Sequence, residues 1–220
     1  MKTHFFNHPF KAITLILLCL HQHAAWAGRP LIVDDAGVNE TRTGQIESWI
    51  ATEGNGSSVF YLAPTYSPRD GIEIGALLSR NATENTNLKG LQFKWRITPE
   101  QDDGCNLAAS VGTQSSTAES GRTDFANGIV TCVAASIGKL HFNIGAVQRP
   151  ISTAKGTWGI ALEREMGAIT GHVEGFGEGG TKPTWQVGAR TNITKDLQLD
   201  STVGRSPDRP QYSIGLKIQF

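Results

Sequence analysis

The sequence has no apolar run long enough for a transmembrane helix, little cysteine, and no surplus of charge of either sign. Each shortage removes a class of protein. The longest apolar stretch, Ala12 to Leu20, covers nine residues, well short of the roughly 20 that a helical span requires. Any membrane crossing must therefore be made of strands. With 20 Lys and Arg against 20 Asp and Glu, nothing points to nucleic acid or to an anionic lipid surface. Three cysteines cannot form a disulfide framework. Long helices are also disfavoured: 25 Gly and 9 Pro are spread along the chain, and each Gly costs about 1 kcal/mol at a helix position.

What is present starts with an export signal. Lys2 and Lys11 precede the short apolar run, and Ala25-Trp26-Ala27 supplies small residues for cleavage before Gly28. That is the layout of a secretory leader over residues 1–27. Its removal leaves 18 basic and 20 acidic residues, and only His141 and His172 among the histidines. Residues 28–43 (GRPLIVDDAGVNETRT) do not alternate. They read as a periplasmic segment or a short plug, a disordered leader being the plainer alternative and a short helix a further one.

From residue 44 onward the pattern is period 2. The last strand is the clearest: Tyr212, Ile214, Leu216, Ile218 and Phe220 alternate with Gln211, Ser213, Gly215, Lys217 and Gln219. Such alternation places the two sets on opposite faces of a strand. Leu91, Phe93 and Trp95 alternate with Gln92, Lys94 and Arg96 in the same way, as do Phe142 and Ile144 with His141 and Asn143. Weaker cases cover 44–53, 58–67, 104–113, 126–136 and 168–177. About twelve strands result, ten being the alternative. Turn residues separate them at 54–57, 67–70, 136–139, 179–180, 192–196 and 206–210, with the Gly, Pro, Asn and Asp content that turns favour.

The expected fold is all-β, an antiparallel up-and-down transmembrane β-barrel over residues 44–220. An even strand count brings both ends of the barrel to the periplasmic side. The connections at 54–57, 80–87, 114–125, 148–155, 178–182 and 205–209 then face outward, Gln114 to Phe125 being the longest. Trp49, Trp95, Trp158 and Trp185, with Tyr61 and Tyr212, are candidates for interfacial girdles. A closing strand ending on Phe220 is similar to the signal read by the barrel assembly machinery. Cys105 falls on the face of Leu107 and Val111, and Cys132 opposite Thr131 and Val133 and so on the other face. The pair is therefore expected to stay unbridged.

Collecting the polar faces gives lumen-lining candidates Glu47, Glu73, Lys94, Arg96, His141, Glu163, Glu174, Arg190, Asp200 and Lys217, with Glu165 nearby. Two readings compete for them: charges that tune a pore, or ion pairs that fill a closed barrel. Catalysis has little to stand on. A hydrolase would need His141 or His172 as base, and no serine sits in a nucleophile motif. Two histidines 31 residues apart do not make a zinc site, and no cofactor motif is present; Gly175-Phe-Gly-Glu-Gly-Gly180 reads as a strand end and turn.

The mature start, Gly28-Arg-Pro-Leu-Ile-Val-Asp-Asp-Ala-Gly37 followed by Gly44-Gln-Ile-Glu47, resembles the outer-membrane barrels grouped as the "MetA-pathway of phenol degradation" family. Gly159-Ile-Ala-Leu-Glu163, Trp185-Gln-Val-Gly-Ala-Arg190, Leu197-Gln-Leu-Asp200 and Gly215-Leu-Lys-Ile-Gln-Phe220 are similar to it as well. The resemblance implies a transporter-like barrel and a link to aromatic compounds. The expectation is a non-enzymatic channel or transporter for small molecules, aromatic ones included, in the outer membrane of a Gram-negative bacterium. Its partners would be outer-membrane lipid, the assembly machinery and a small solute. A surface-interaction barrel, a barrel hydrolase and a soluble lipocalin-like barrel are the alternatives.

Overall fold

A computed structural model describes residues 31–52, 57–206 and 209–220. The leader read at 1–27, residues 28–30, and parts of two connections lie outside the described residues. Twelve strands follow one another: β1 (Gly44–Thr52), β2 (Ser58–Arg69), β3 (Ile72–Asn81), β4 (Thr86–Arg96), β5 (Gly104–Ser116), β6 (Thr123–Ala134), β7 (Gly138–Gln148), β8 (Lys155–Met166), β9 (Ile169–Glu178), β10 (Thr184–Asn192), β11 (Leu197–Arg205) and β12 (Pro210–Gln219). Each pairs antiparallel with its sequence neighbours, and β1 pairs with β12. The sheet is a closed, antiparallel up-and-down transmembrane barrel. Closure leaves no unpaired edge, which an apolar solvent would penalise.

The distribution of side chains is inverted relative to a soluble protein. Ile144 is 74% exposed, Leu91 65% and Ile214 57%, while His141, Glu174 and Asp200 are 1% exposed. Outward residues form an apolar band, with Trp95 and Tyr66 toward one end and Trp158, Trp185 and Tyr212 toward the other. Aromatic rings at both margins of such a band suit membrane–water interfaces. Phe220 is exposed and its ring lies over Gly44, where an added Cβ would come within 2.8 Å of it. The backbones of Gly44 and Phe220 exchange two hydrogen bonds, of 2.8 and 2.9 Å. Both ends of the barrel therefore meet at one rim, here the terminus end.

Several local expectations change. β2 runs on through Pro68 to Arg69, so the turn is Asp70-Gly71 rather than 67–70. The strand register shifts between Tyr66 and Arg69, and that irregularity lets a strand carry a residue without an N–H. Gly71 adopts a φ of +73°, which glycine reaches without the Cβ clash. β5 and β6 extend to Ser116 and Thr123, leaving a connection of only 117–122. The 97–103 connection at the terminus end is longer, and half of the expected longest far-end loop is strand. No helix occurs in residues 31–43.

The cysteines are bridged, contrary to the expectation. Cys105 and Cys132 are direct cross-strand partners with a Cα–Cα distance of 4.0 Å, and their sulfurs are bonded. Cys132 does lie opposite Thr131 and Val133. It is Thr131, however, that points inward, 7% exposed and bonded to His141, so both cysteines share the outer face. The phase of β6 is the reverse of the expected one.

Candidate functional site: the occupied lumen

Alternation within each strand, combined with register, assembles the interior charges into one belt. All ten candidate residues lie within six positions of the terminus-side end of their strands. Several are direct cross-strand partners of opposite sign: Glu73 and Lys94, Glu47 and Lys217, Arg190 and Asp200. Opposite charges facing each other across a strand pair stabilise the pairing. Glu47, Glu73, Lys94, His141, Glu163, Glu174, Asp200 and Lys217 are all buried. Arg190 donates to both carboxylate oxygens of Glu163. Arg96 differs from the rest: it sits at the terminus-end rim, bonded at 2.6 Å to both Asp70 and Glu100. Glu165, one turn-ward from the belt, is exposed.

His141 links two parts of the belt. Its Nδ1 is 3.0 Å from the Thr131 hydroxyl, and its Nε2 is 3.5 Å from the Glu163 carboxylate. A hydroxyl, an imidazole and a carboxylate in line have the outline of a nucleophile relay. The hydroxyl is covered, however, because Thr131 Oγ1 accepts a 2.8 Å bond from the Ala36 amide. His172, the other candidate base, faces His141's partner Glu163 across β8 and β9.

Ala36 belongs to a segment that occupies the lumen, residues 32–39. The wall holds it mainly by its backbone. Both the Ile32 and Val33 amides donate to the Glu174 carboxylate, at 3.0 and 2.8 Å. Asn143 accepts from the Asp34 amide at 2.7 Å and donates to the Asp34 carbonyl at 2.8 Å. The Asn39 amide donates to Glu73 at 3.1 Å. One ion pair adds to these, between Lys94 Nζ and Asp34 at 2.8 Å, with Asp35 at 3.9 Å. Val33 rests against Gly159, where an added Cβ would stand 2.7 Å from it. Ala36, fully buried, packs on Ala108 and Ile129.

The far half of the lumen is chemically different. Trp49 and Tyr61, cross-strand partners, stack with centroids 4.7 Å apart and planes 9° from parallel. They lie inside the barrel, sharing Glu47's parity, and are not part of an outer girdle. Phe125 and Phe176 also face inward. Among the described residues, cavities of about 330 and 560 Å³ flank Ile32 and Val33, which line both. At the far rim Arg149 is paired with Glu178, which holds the guanidinium still more firmly in its charged form. No described group of His, Cys, Asp and Glu is arranged to hold a metal ion. The sequence pattern reaches the charged belt; it does not reveal the aromatic pair or the wall's grip on residues 32–39.

Solved structures with the same fold include the KdgM porin, with a TM-score of 0.70 at 11% identity over 80% of this chain and 99% of that one. The KdgM porin in complex with disordered oligogalacturonate matches with a TM-score of 0.69 at 10% identity, over 80% and 99%. The outer membrane protein Omp33 of Acinetobacter baumannii has a TM-score of 0.51 at 11% identity, over 82% and 99%. At such identities the likeness shows a porin-like barrel fold. No curated protein matches the chain. A family model covers residues 15–213, nearly the whole sequence, and the chain belongs to the family that it describes, "Uncharacterised conserved protein UCP029691".

Proposed function

We propose that this protein is an outer-membrane channel for small solutes, held nearly closed by its own residues 32–39. The observation that carries the reading is the inverted barrel itself: an apolar exterior around a polar interior that keeps open space on both flanks of the inner segment. A barrel whose charges served only to fill its core would not need that space. On this reading the chain is exported by the leader cleaved near Ala27, assembled through the strand ending at Phe220, and surrounded by outer-membrane lipid.

The charge balance bears on the solute. Glu47, Glu73, Glu163, Glu174 and Asp200, with Asp34 and Asp35 of the inner segment, face Lys94, Arg190 and Lys217. A lumen with excess carboxylate favours cations and neutral molecules over anions. Oligogalacturonate, with which the similarly folded KdgM porin is in complex, is a polyanion and suits this interior poorly. The stacked Trp49 and Tyr61 offer a flat apolar face to a planar ring. That agrees with the aromatic solutes implied by the resemblance to the "MetA-pathway of phenol degradation" barrels. The reading is of transport without catalysis.

Planar-bilayer recordings test the proposal. The wild type should show a small or rarely open conductance, and a salt gradient should give a reversal potential of cation-selective sign. A variant whose inner segment is expelled should conduct freely. If a folded, heat-modifiable sample of that variant passes neither current nor a small aromatic solute, the channel reading fails.

A further inference from the structure

The lumen treats residues 32–39 as a ligand, and it does so chiefly through the main chain. Glu174 takes two successive amides, Asn143 brackets the amide and carbonyl of Asp34, and Thr131 and Glu73 each take one more amide. Such contacts do not depend on which side chain a residue carries. Side-chain selection enters at three points. Gly159 leaves a seat for Val33, Ala108 and Ile129 admit only a small residue at Ala36, and Lys94 calls for a carboxylate at Asp34. Main-chain bonds giving affinity, with a few seats giving specificity, is how proteins hold extended peptides.

We infer that the lumen is a binding site for extended peptides, with residues 32–39 as its tethered occupant. A separate peptide of the same character competes for it: small apolar residues at the Val33 and Ala36 positions, and an acid at that of Asp34. The wall groups that would hold such a peptide are Glu174, Asn143, Thr131, Glu73 and Lys94. The inference deepens the channel reading by naming a class of molecule that enters the lumen. It does not need conduction, since binding is measured on the folded barrel in detergent.

The test changes the occupant and leaves the wall intact. Ala36→Trp in the full chain places an indole where a fully buried methyl packs, and so expels the segment. A dye-labelled peptide of residues 31–40, Leu-Ile-Val-Asp-Asp-Ala-Gly-Val-Asn-Glu, is then titrated by fluorescence anisotropy. The variant should bind it and the wild type, already occupied, should not. N-methylation of the peptide at the positions of Val33 and Ala36 removes two donors and should weaken binding at least about tenfold. Should Ala36→Trp fail to give a heat-shifted, folded band, Val33→Glu serves instead, because it sets a further carboxylate beside Glu174, which accepts the Val33 amide. A folded expelled variant that binds no peptide overturns the inference, as does equal binding of the N-methylated form. In either case the bilayer result for the same variant judges the channel reading separately.

Discussion

Lys94 is the buried cation nearest the inner segment, and removing it tests whether that segment controls the lumen. Its side chain is 3% exposed, against 32% for that of Asp34, its partner at 2.8 Å. Asp35 lies at 3.9 Å, and Glu73 adds a third negative charge. Lys94→Met keeps the length of the side chain and leaves these carboxylates with no shared cation. Breaking a buried ion pair from one side costs about 3–5 kcal/mol. Because Asp34 is one-third exposed, solvent screening lowers the expected cost to about 2 kcal/mol. The cost falls on the docked state alone, since a released segment carries Asp34 and Asp35 back to water. A shift of about 2 kcal/mol changes the docking equilibrium ~30-fold. A segment released about 1% of the time would then be released about a quarter of the time.

Single-channel recording reads that change as open probability, with a heat-shifted gel band confirming that the barrel is folded. Asp34→Asn should have a smaller effect, because Lys94 keeps Asp35 and Glu73 as partners. The double variant should sit closer to wild type than Lys94→Met does, with a coupling of about 1 kcal/mol. Folded Lys94→Met channels with unchanged open probability would refute the reasoning. So would strict additivity of the two substitutions.

Gly159→Val places methyl groups where Val33 now packs, at a site where even a Cβ would come within 2.7 Å; the inner segment should be displaced and open probability should rise in the same recordings. Ile144→Arg adds a charge to an outward residue that is 74% exposed. In water that change would be nearly silent, whereas in a bilayer it should destabilise the barrel by about 1–2 kcal/mol, less than at the midplane because its cross-strand partner Trp158 lies toward the interface, measured by unfolding from liposomes. Cys105→Ser with Cys132→Ser should leave assembly and conductance intact, because ten other residue pairs already register β5 on β6. The variant should unfold with a loss of about 3.5 kcal/mol, as expected for opening a loop with a sequence separation of 27.

How much of this was legible in the sequence depends on the strand. β12 and β4 carry clean alternation, so their outer and inner faces could be read residue by residue. β6 could not: Ile129 and Thr131 point inward together while Val130 and Cys132 point outward. Residue type does not settle the phase of such a strand, and with the phase reversed the cysteine pair is lost. Trp49 fails differently. An aromatic near a strand end suits an interfacial girdle, yet Glu47 two residues earlier shares its face, and that parity carries the correct signal. The inner segment showed in the sequence only as a stretch without alternation, read as a periplasmic segment or a short plug; which wall groups hold it left no local trace. Its partners lie 34 residues away at Glu73 and 142 away at Glu174, and its bonds are made by backbone atoms common to every residue. No periodicity can report such contacts.

That same chemistry decides how tightly a competitor must bind. Residues 40–43 join the inner segment to β1, and Gly44 is fixed at the closed seam by Phe220. The segment is therefore a ligand on a linker of only a few residues, for which effective concentrations are on the order of millimolar or above. A free peptide making identical contacts must approach that concentration to displace it from the wild-type wall. The individual contacts can consequently be modest, and the lumen still stays occupied. A single substitution in the segment, such as Ala36→Trp, removes the effective-concentration advantage without altering the wall. Micromolar peptide that cannot enter the wild type should then enter the variant. If wild type and variant accept the peptide at the same concentration, the segment is not competing for the wall, and its bonds to Glu174 and Asn143 do not hold it in the lumen.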